Sequence, residues 1–259
     1  MKRLRLVPMA MIALVAANMN AFAQGRGGRG GAPAPPQTAK VAAPIDLTGY
    51  WVSVVTEDWR YRMVAPTKGD YQGVPMTPEA RKIADSWDPA KEEASGELCK
   101  SYGAPALLRV PGRLHITWQD DQTLRMDSDA GKQTRVFHFT PSAAAVLASV
   151  PSPGPHTLQG DSVAVWEGGG RGATDGSMKV TTSNLKGGFL RKNGVPYSDN
   201  ASLTEYFELI TEPKGTPLMV VTIVTTDPAY LRQPFVISSQ FKKEASDAKW
   251  NPTACSATW

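Results

Sequence analysis

Period-two alternation of apolar and polar residues dominates the chain from Asp46 onward and commits most of it to sheet. In the stretch from Leu47 to Val55, Leu47, Trp51, Ser53 and Val55 alternate with Tyr50, Val52 and Val54. Segments rich in Val, Thr, Ile, Phe and Tyr recur at 104–110, 113–119, 122–128, 133–140, 161–166, 177–184, 201–210, 217–226 and 234–242. Turn clusters such as Val110-Pro111-Gly112 and Asp129-Ala130-Gly131 separate neighbours. That pattern predicts a mainly all-β domain over residues 45–259, an antiparallel β-barrel of about 8–10 strands, because closure removes exposed edges.

One helical insertion interrupts the alternation. Thr77-Pro78-Glu79 reads as an N-cap, a proline at the first helical position and an acid at the positive end of the helix dipole. Ala80, Ile83, Ala84 and Trp87 then recur at helical spacing, Trp87-Asp88-Pro89 breaks the run, and Ala90–Leu98 resumes it.

The first 24 residues have the order of a cleaved secretory signal: Lys2, Arg3 and Arg5, an apolar run from Leu6 to Val15, then Ala21-Phe22-Ala23. Removing three of the 28 basic residues leaves a near-neutral balance against 24 acidic ones, so nothing general favours nucleic acid as a partner. No later apolar run has the length of a transmembrane helix. The expected location is periplasmic or extracellular. Residues 25–44, almost all Gly, Ala, Pro and Arg, read as a flexible tether. The loops 142–160, 168–176 and 185–200 are the expected movable parts around one opening. In an oxidising compartment, Cys99 and Cys255, the only cysteines, are expected to form a disulfide, with two separate buried thiols as the alternative.

Four stretches carry a resemblance: Asp161–Gly168 (DSVAVWEG), Met178–Leu185 (MKVTTSNL), Leu203–Ile210 (LTEYFELI) and Val220–Pro228 (VVTIVTTDP). In that order they resemble a group of secreted bacterial proteins with strands ending Trp-Glu-Gly, a Thr-Thr-x-Asn strand, a Glu-Tyr-Phe strand and a strand running into Asp-Pro. The resemblance implies a signal peptide and a lipocalin-like β fold, and no catalytic residues. The Gly49-Tyr50-Trp51 opening is also similar to the Gly-x-Trp start of lipocalin-type barrels, which implies that Trp51 plugs one end.

The candidate chemistry is sparse. His115 and His138 lie on strands 113–119 and 133–140, and if both imidazoles face one cavity they supply a general base. Glu205 shares a strand face with Leu203, Phe207 and Leu209, so an inward carboxylate needs a cation, from Arg135 or Arg113. The catalytic candidates are therefore His115, His138, Glu205 and Arg135. Trp51, Trp59, Tyr61, Trp118, Phe137 and Tyr206 are the candidate ligand-binding aromatics. Residues 57–62, which mix charge with aromatics, read as a rim. No ligand spacing points to a metal, and no motif points to a cofactor. The leading expectation is an exported barrel that binds a small apolar or aromatic molecule in its interior. The alternatives are a cofactor-independent acid–base enzyme of isomerase, cyclase or hydratase type on the same barrel, and a structural or partner-binding envelope protein.

Overall fold

The computed structural model describes residues 37–140, 154–168, 176–211 and 215–258. The expected signal at 1–24, the tether as far as residue 36 and the middle of two expected loops lie outside the described residues.

Nine strands close a barrel in the order β1-β11-β10-β9-β6-β5-β4-β3-β2. They are β1 (Gly49–Val54), β2 (Arg113–Asp120), β3 (Thr123–Ser128), β4 (Gln133–Phe139), β5 (Asp161–Glu167), β6 (Ser177–Ser183), β9 (Ser202–Thr211), β10 (Pro217–Thr226) and β11 (Phe235–Glu244). The last two strands left over, β7 (Gly188–Arg191) and β8 (Val195–Tyr197), form a separate hairpin. All barrel pairs are antiparallel except β4–β5, where Phe137 faces Ser162 and Phe139 faces Ala164 in a parallel register. The all-antiparallel expectation is corrected there. The connection from 140 to 160 is long enough to carry the chain back to the end where β4 began, which a tight hairpin cannot do.

The alternation read from the sequence fixes which side chains fill the barrel. Leu114, Ile116, Leu124, Met126, Phe137, Met178, Val180, Leu203, Phe207, Met219, Val221 and Phe241 point inward and are 3% exposed or less. Among the described residues these side chains make one contiguous core.

The segment 104–110 departs from expectation. It is helical at α4 (Ala104–Leu107), not a strand, and its apolar residues are buried on all sides. It belongs to a helical block with α1 (Trp59–Arg62), α2 (Pro78–Ser86), α3 (Pro89–Ser95) and a 3-10 turn at Lys100–Tyr102. Thr77 caps α2 as its sequence requires, accepting from the Ala80 amide at 3.3 Å. Asp88 does the same for α3 through the Ala90 amide. Ala80 and Ala84 are fully buried, and α2 packs on β8. Gly194, in the β7–β8 turn, has a positive φ of 81°, and a Cβ there would sit 2.2 Å from Trp87 Cβ, so only glycine fits.

The helical block and the β7–β8 hairpin gather at one end of the barrel, together with the β10–β11 connection. Met76 bridges to Leu231, and the Thr77 amide donates to the Tyr230 carbonyl. Asp227 is 1% exposed and ties the loops by accepting from the Ser198 amide and hydroxyl and the Ala229 amide. Cys99 and Cys255 form the expected disulfide, joining the helical block to the C-terminal segment. The expected mobility of 185–200 does not fit its burial: Leu190, Arg191, Lys192, Asn193, Val195 and Tyr197 are all 4% exposed or less.

At the opposite end, the chain is already packed before the barrel begins. Ala39 is 8% exposed; its amide donates to Gln122 Oε1 and its carbonyl accepts from Trp166 Nε1 at 2.8 Å. Residues 37–44 thus lie against the barrel, correcting the tether expected to reach residue 44. Among the described residues, no helix is long and apolar enough to cross a membrane.

Candidate functional site

The sequence candidates fall in four places. Arg135 and Glu205 meet in the barrel interior. Both are essentially unexposed, and the guanidinium donates from Nη1 to Oε1 at 2.8 Å and from Nη2 to Oε2 at 2.6 Å. β6 and β5 lie between their strands and add Thr182, which accepts from Arg135 Nη2 at 3.2 Å and pairs with the Ser162 hydroxyl at 2.8 Å. Phe137 packs under the guanidinium at 5.0 Å. The alternative partner, Arg113, faces outward and pairs with Glu244 at 2.7 Å. An ion pair so enclosed by apolar neighbours is a structural cross-strut.

The histidines do not join it. His138 is exposed on the outer wall, and His115 faces outward too, stacked on Tyr50 with ring centroids 4.1 Å apart and edge-on to Trp250. The expectation that both imidazoles converge inside is corrected: each occupies the polar phase of its strand, opposite Leu114 and Ile116 or Phe137. His115 lies in a shallow groove with Asp127, Thr134 and Trp250.

The six aromatic candidates also scatter. Trp51 and Phe137 are fully buried core, with Trp51 Nε1 donating to the Leu47 carbonyl. Trp118 clusters with Phe139 and Trp166 at the end crossed by residues 37–44. Tyr206 lies on the outer wall under the Lys179 ammonium, and Trp59 is 64% exposed. Among the described residues they do not come together at one place. Tyr61 alone enters a cleft with convergent polar groups.

That cleft, about 390 Å³, opens at the helical end between the segment 58–61, Gln72-Gly73, Arg191 of β7 and Phe235–Ile237 of β11. Beneath and around it stand four arginines. Arg60 pairs with Asp70. Arg62 is 1% exposed, donating to Glu57 at 2.5 Å and to the Arg109 carbonyl at 2.9 Å. Arg109 is 4% exposed and reaches Asp58 Oδ2 at 3.1 Å. Asp58 holds the left-handed conformation, φ 50°, which aspartate tolerates better than most residues and which turns α1 away from β1.

Arg191 differs from the other three. It is 4% exposed, its Cζ lies over the Tyr61 ring at 4.0 Å and near the Phe235 ring at 5.9 Å, and it donates from Nη1 to the Gln72 carbonyl at 2.8 Å. Burial, and next the neighbouring Arg109 charge, push its pKa down to about 10. Burial likewise lowers those of Arg62 and Arg109.

Sequence reasoning picked out residues 57–62 as a rim of charge and aromatics, and Tyr61 as a ligand contact. It missed Arg191, Gln72 and Phe235, which the β7–β8 hairpin and β10–β11 loop bring in from distant parts of the chain. The available signal was Arg191 just before the Asn193-Gly194 turn: a hairpin tip at a barrel end projects its flanking side chains over that end.

Among the described residues, no three His, Cys, Asp or Glu side chains gather closely enough to hold a metal ion. Comparison with protein-family models, curated proteins and solved structures found no match.

Proposed function

We propose that this chain is an exported β-barrel protein that binds a small molecule, and that the ligand enters the cleft at the helical end and not the barrel interior. The observation that carries the reading is the make-up of the cleft: separated segments deliver a buried guanidinium, a tyrosine, a glutamine and a phenylalanine to one concavity of ligand size. The interior, by contrast, is occupied by side chains from all nine strands and a closed ion pair. The N-terminal signal pattern and the Cys99–Cys255 bridge support export to an oxidising compartment. The acid–base alternative gains no support from the geometry, because His115, His138 and the Arg135–Glu205 pair stand apart.

A small-molecule screen by thermal shift, repeated on Val236→Trp, tests this. Val236 lines the cleft and is 58% exposed, so the bulky side chain fills the cleft without disturbing the core. Compounds that stabilise the wild type and lose their effect in V236W support the reading. Compounds that act equally on both proteins refute it.

A further inference from the structure

We infer that the ligand of this cleft is a small organic monoanion, a carboxylate, whose charged head completes the coordination of Arg191. This deepens the proposal above and rests on the cleft being the ligand site. Four guanidinium groups, of Arg60, Arg62, Arg109 and Arg191, stand at or beneath the cleft with the three carboxylates of Glu57, Asp58 and Asp70. Each carboxylate is taken: Glu57 by Arg62, Asp58 by Arg109, Asp70 by Arg60. Among the described residues no carboxylate oxygen comes within 4.0 Å of the Arg191 guanidinium. With no carboxylate in contact, a guanidinium 4% exposed is held at a desolvation cost that the more distant Asp58 and Asp70 only partly offset, and natural chains almost always pair such a group.

The hydrogen-bond inventory agrees. Of the five N–H donors on Arg191, one is used among the described residues, by the Gln72 carbonyl. Nε is buried without a partner. Nη2 stands 3.8 Å from where a Cβ on Gly73 would lie, and both residues line the cleft.

One unpaired positive charge matches one negative charge, which favours a carboxylate over a doubly charged phosphate. The planar guanidinium is already held over Tyr61 and by the Gln72 carbonyl, so little further ordering is needed for it to receive a planar two-oxygen head. Phe235, Val236 and Ile237 offer the rest of the cleft wall to an apolar body. Asp58 also borders the cleft, but its carboxylate contacts Arg109 and acts on Arg191 only at longer range.

The test uses the full chain after removal of its N-terminal signal and the probes benzoate, octanoate, benzamide and inorganic phosphate, titrated by calorimetry on wild type, Arg191→Gln and Val236→Trp. The expected result is binding of at least one of the two carboxylates, weakened roughly tenfold or more in R191Q, with benzamide and phosphate at least as much weaker on the wild type; tenfold corresponds to about 1.4 kcal/mol. Equal binding of benzamide and benzoate, or carboxylate binding unchanged in R191Q, overturns the carboxylate assignment while leaving the cleft standing if V236W still abolishes it. Preferred binding of phosphate overturns the monoanion. Binding of none of the four probes by the wild type overturns the inference as well. A ligand-free measurement separates function from structure: Arg191→Met is expected to keep or raise the urea midpoint, because it removes an unpaired buried charge, whereas Arg109→Met lowers it by stranding Asp58. A clear loss of stability in R191M would make Arg191 a structural residue and refute the inference.

Discussion

The Arg135–Glu205 pair offers a sharp quantitative test of how the barrel interior is held together. Both side chains are unexposed, and the two hydrogen bonds are short and parallel. Replacing Arg135 by Met leaves the Glu205 carboxylate with no cation in an apolar interior; replacing Glu205 by Leu strands the guanidinium. Each single change is expected to cost about 3–5 kcal/mol, the usual penalty for breaking a buried pair. That is a large share of the roughly 5–15 kcal/mol that stabilises a domain. The double variant is expected to behave differently. Thr182 keeps its hydroxyl partner Ser162 when the guanidinium is gone, and the buried Arg135 Nε, which has no partner, disappears with it. Removing an unsatisfied donor recovers about 1–3 kcal/mol. The double variant should therefore lie within about 2 kcal/mol of the wild type, far from the sum of the single losses. Urea denaturation followed by tryptophan fluorescence, with the disulfide intact, measures all four proteins. Single variants that each cost less than about 1 kcal/mol would show that water reaches these charges. A double variant as unstable as the two losses added together would show that the two residues do not act as a pair.

Three further outcomes are expected. Breaking the disulfide with Cys99→Ser should lower stability by about 4–5 kcal/mol in the chain-entropy account, since the bridge spans 156 residues, and a denaturant midpoint unchanged from the oxidised wild type would contradict it. Lys192 is buried against the Tyr102 hydroxyl, and burial pushes its pKa down to about 8. Between that value and the roughly 10.4 of an unfolded lysine, the unfolded chain binds more protons, so stability should rise with pH across this window and rise less in Lys192→Met; urea midpoints at pH 7.5 and 9.5 compare the two. Gly194→Ala should destabilise by about 1 kcal/mol or more, through the left-handed backbone and the contact with Trp87, and by more than Gly69→Ala, where the backbone is similar but the space is open; thermal unfolding of both variants checks the order.

Eight of the nine later strand segments and the first strand were legible because each buries one face only, so apolar side chains had to fall every second residue. The same logic placed Glu205 inside and its cation across the barrel. It failed at 104–110, where Ala104, Ala106, Leu107, Leu108 and Val110 are buried on every side and periodicity cannot tell a helix from a strand. It failed at the β4–β5 pair, because parallel or antiparallel register depends on where a long connection returns. It also failed for the histidines as a catalytic pair: His115 and His138 sit opposite the inward Leu114, Ile116 and Phe137, so both face the outer wall. The cleft was illegible for a different reason. Arg191 lies 130 residues from Tyr61 in the sequence, and nothing local distinguishes a stacked, unpaired arginine from a solvated one.

The closure of the barrel has a consequence for how the chain acquires its shape. The seam is the pairing of β1 with β11, Tyr50 opposite Glu244 and Val54 opposite Gln240. One partner emerges near the start of the folding domain and the other near its finish. Until the last strand arrives, β1 has only β2 beside it and β10 presents a bare row of amides and carbonyls. Sheet completion therefore waits for nearly the whole chain, and contacts this distant in sequence form slowly. A chain whose final strand is not yet available cannot seal its ring, so the tight packing of the barrel is postponed until β11 is in place.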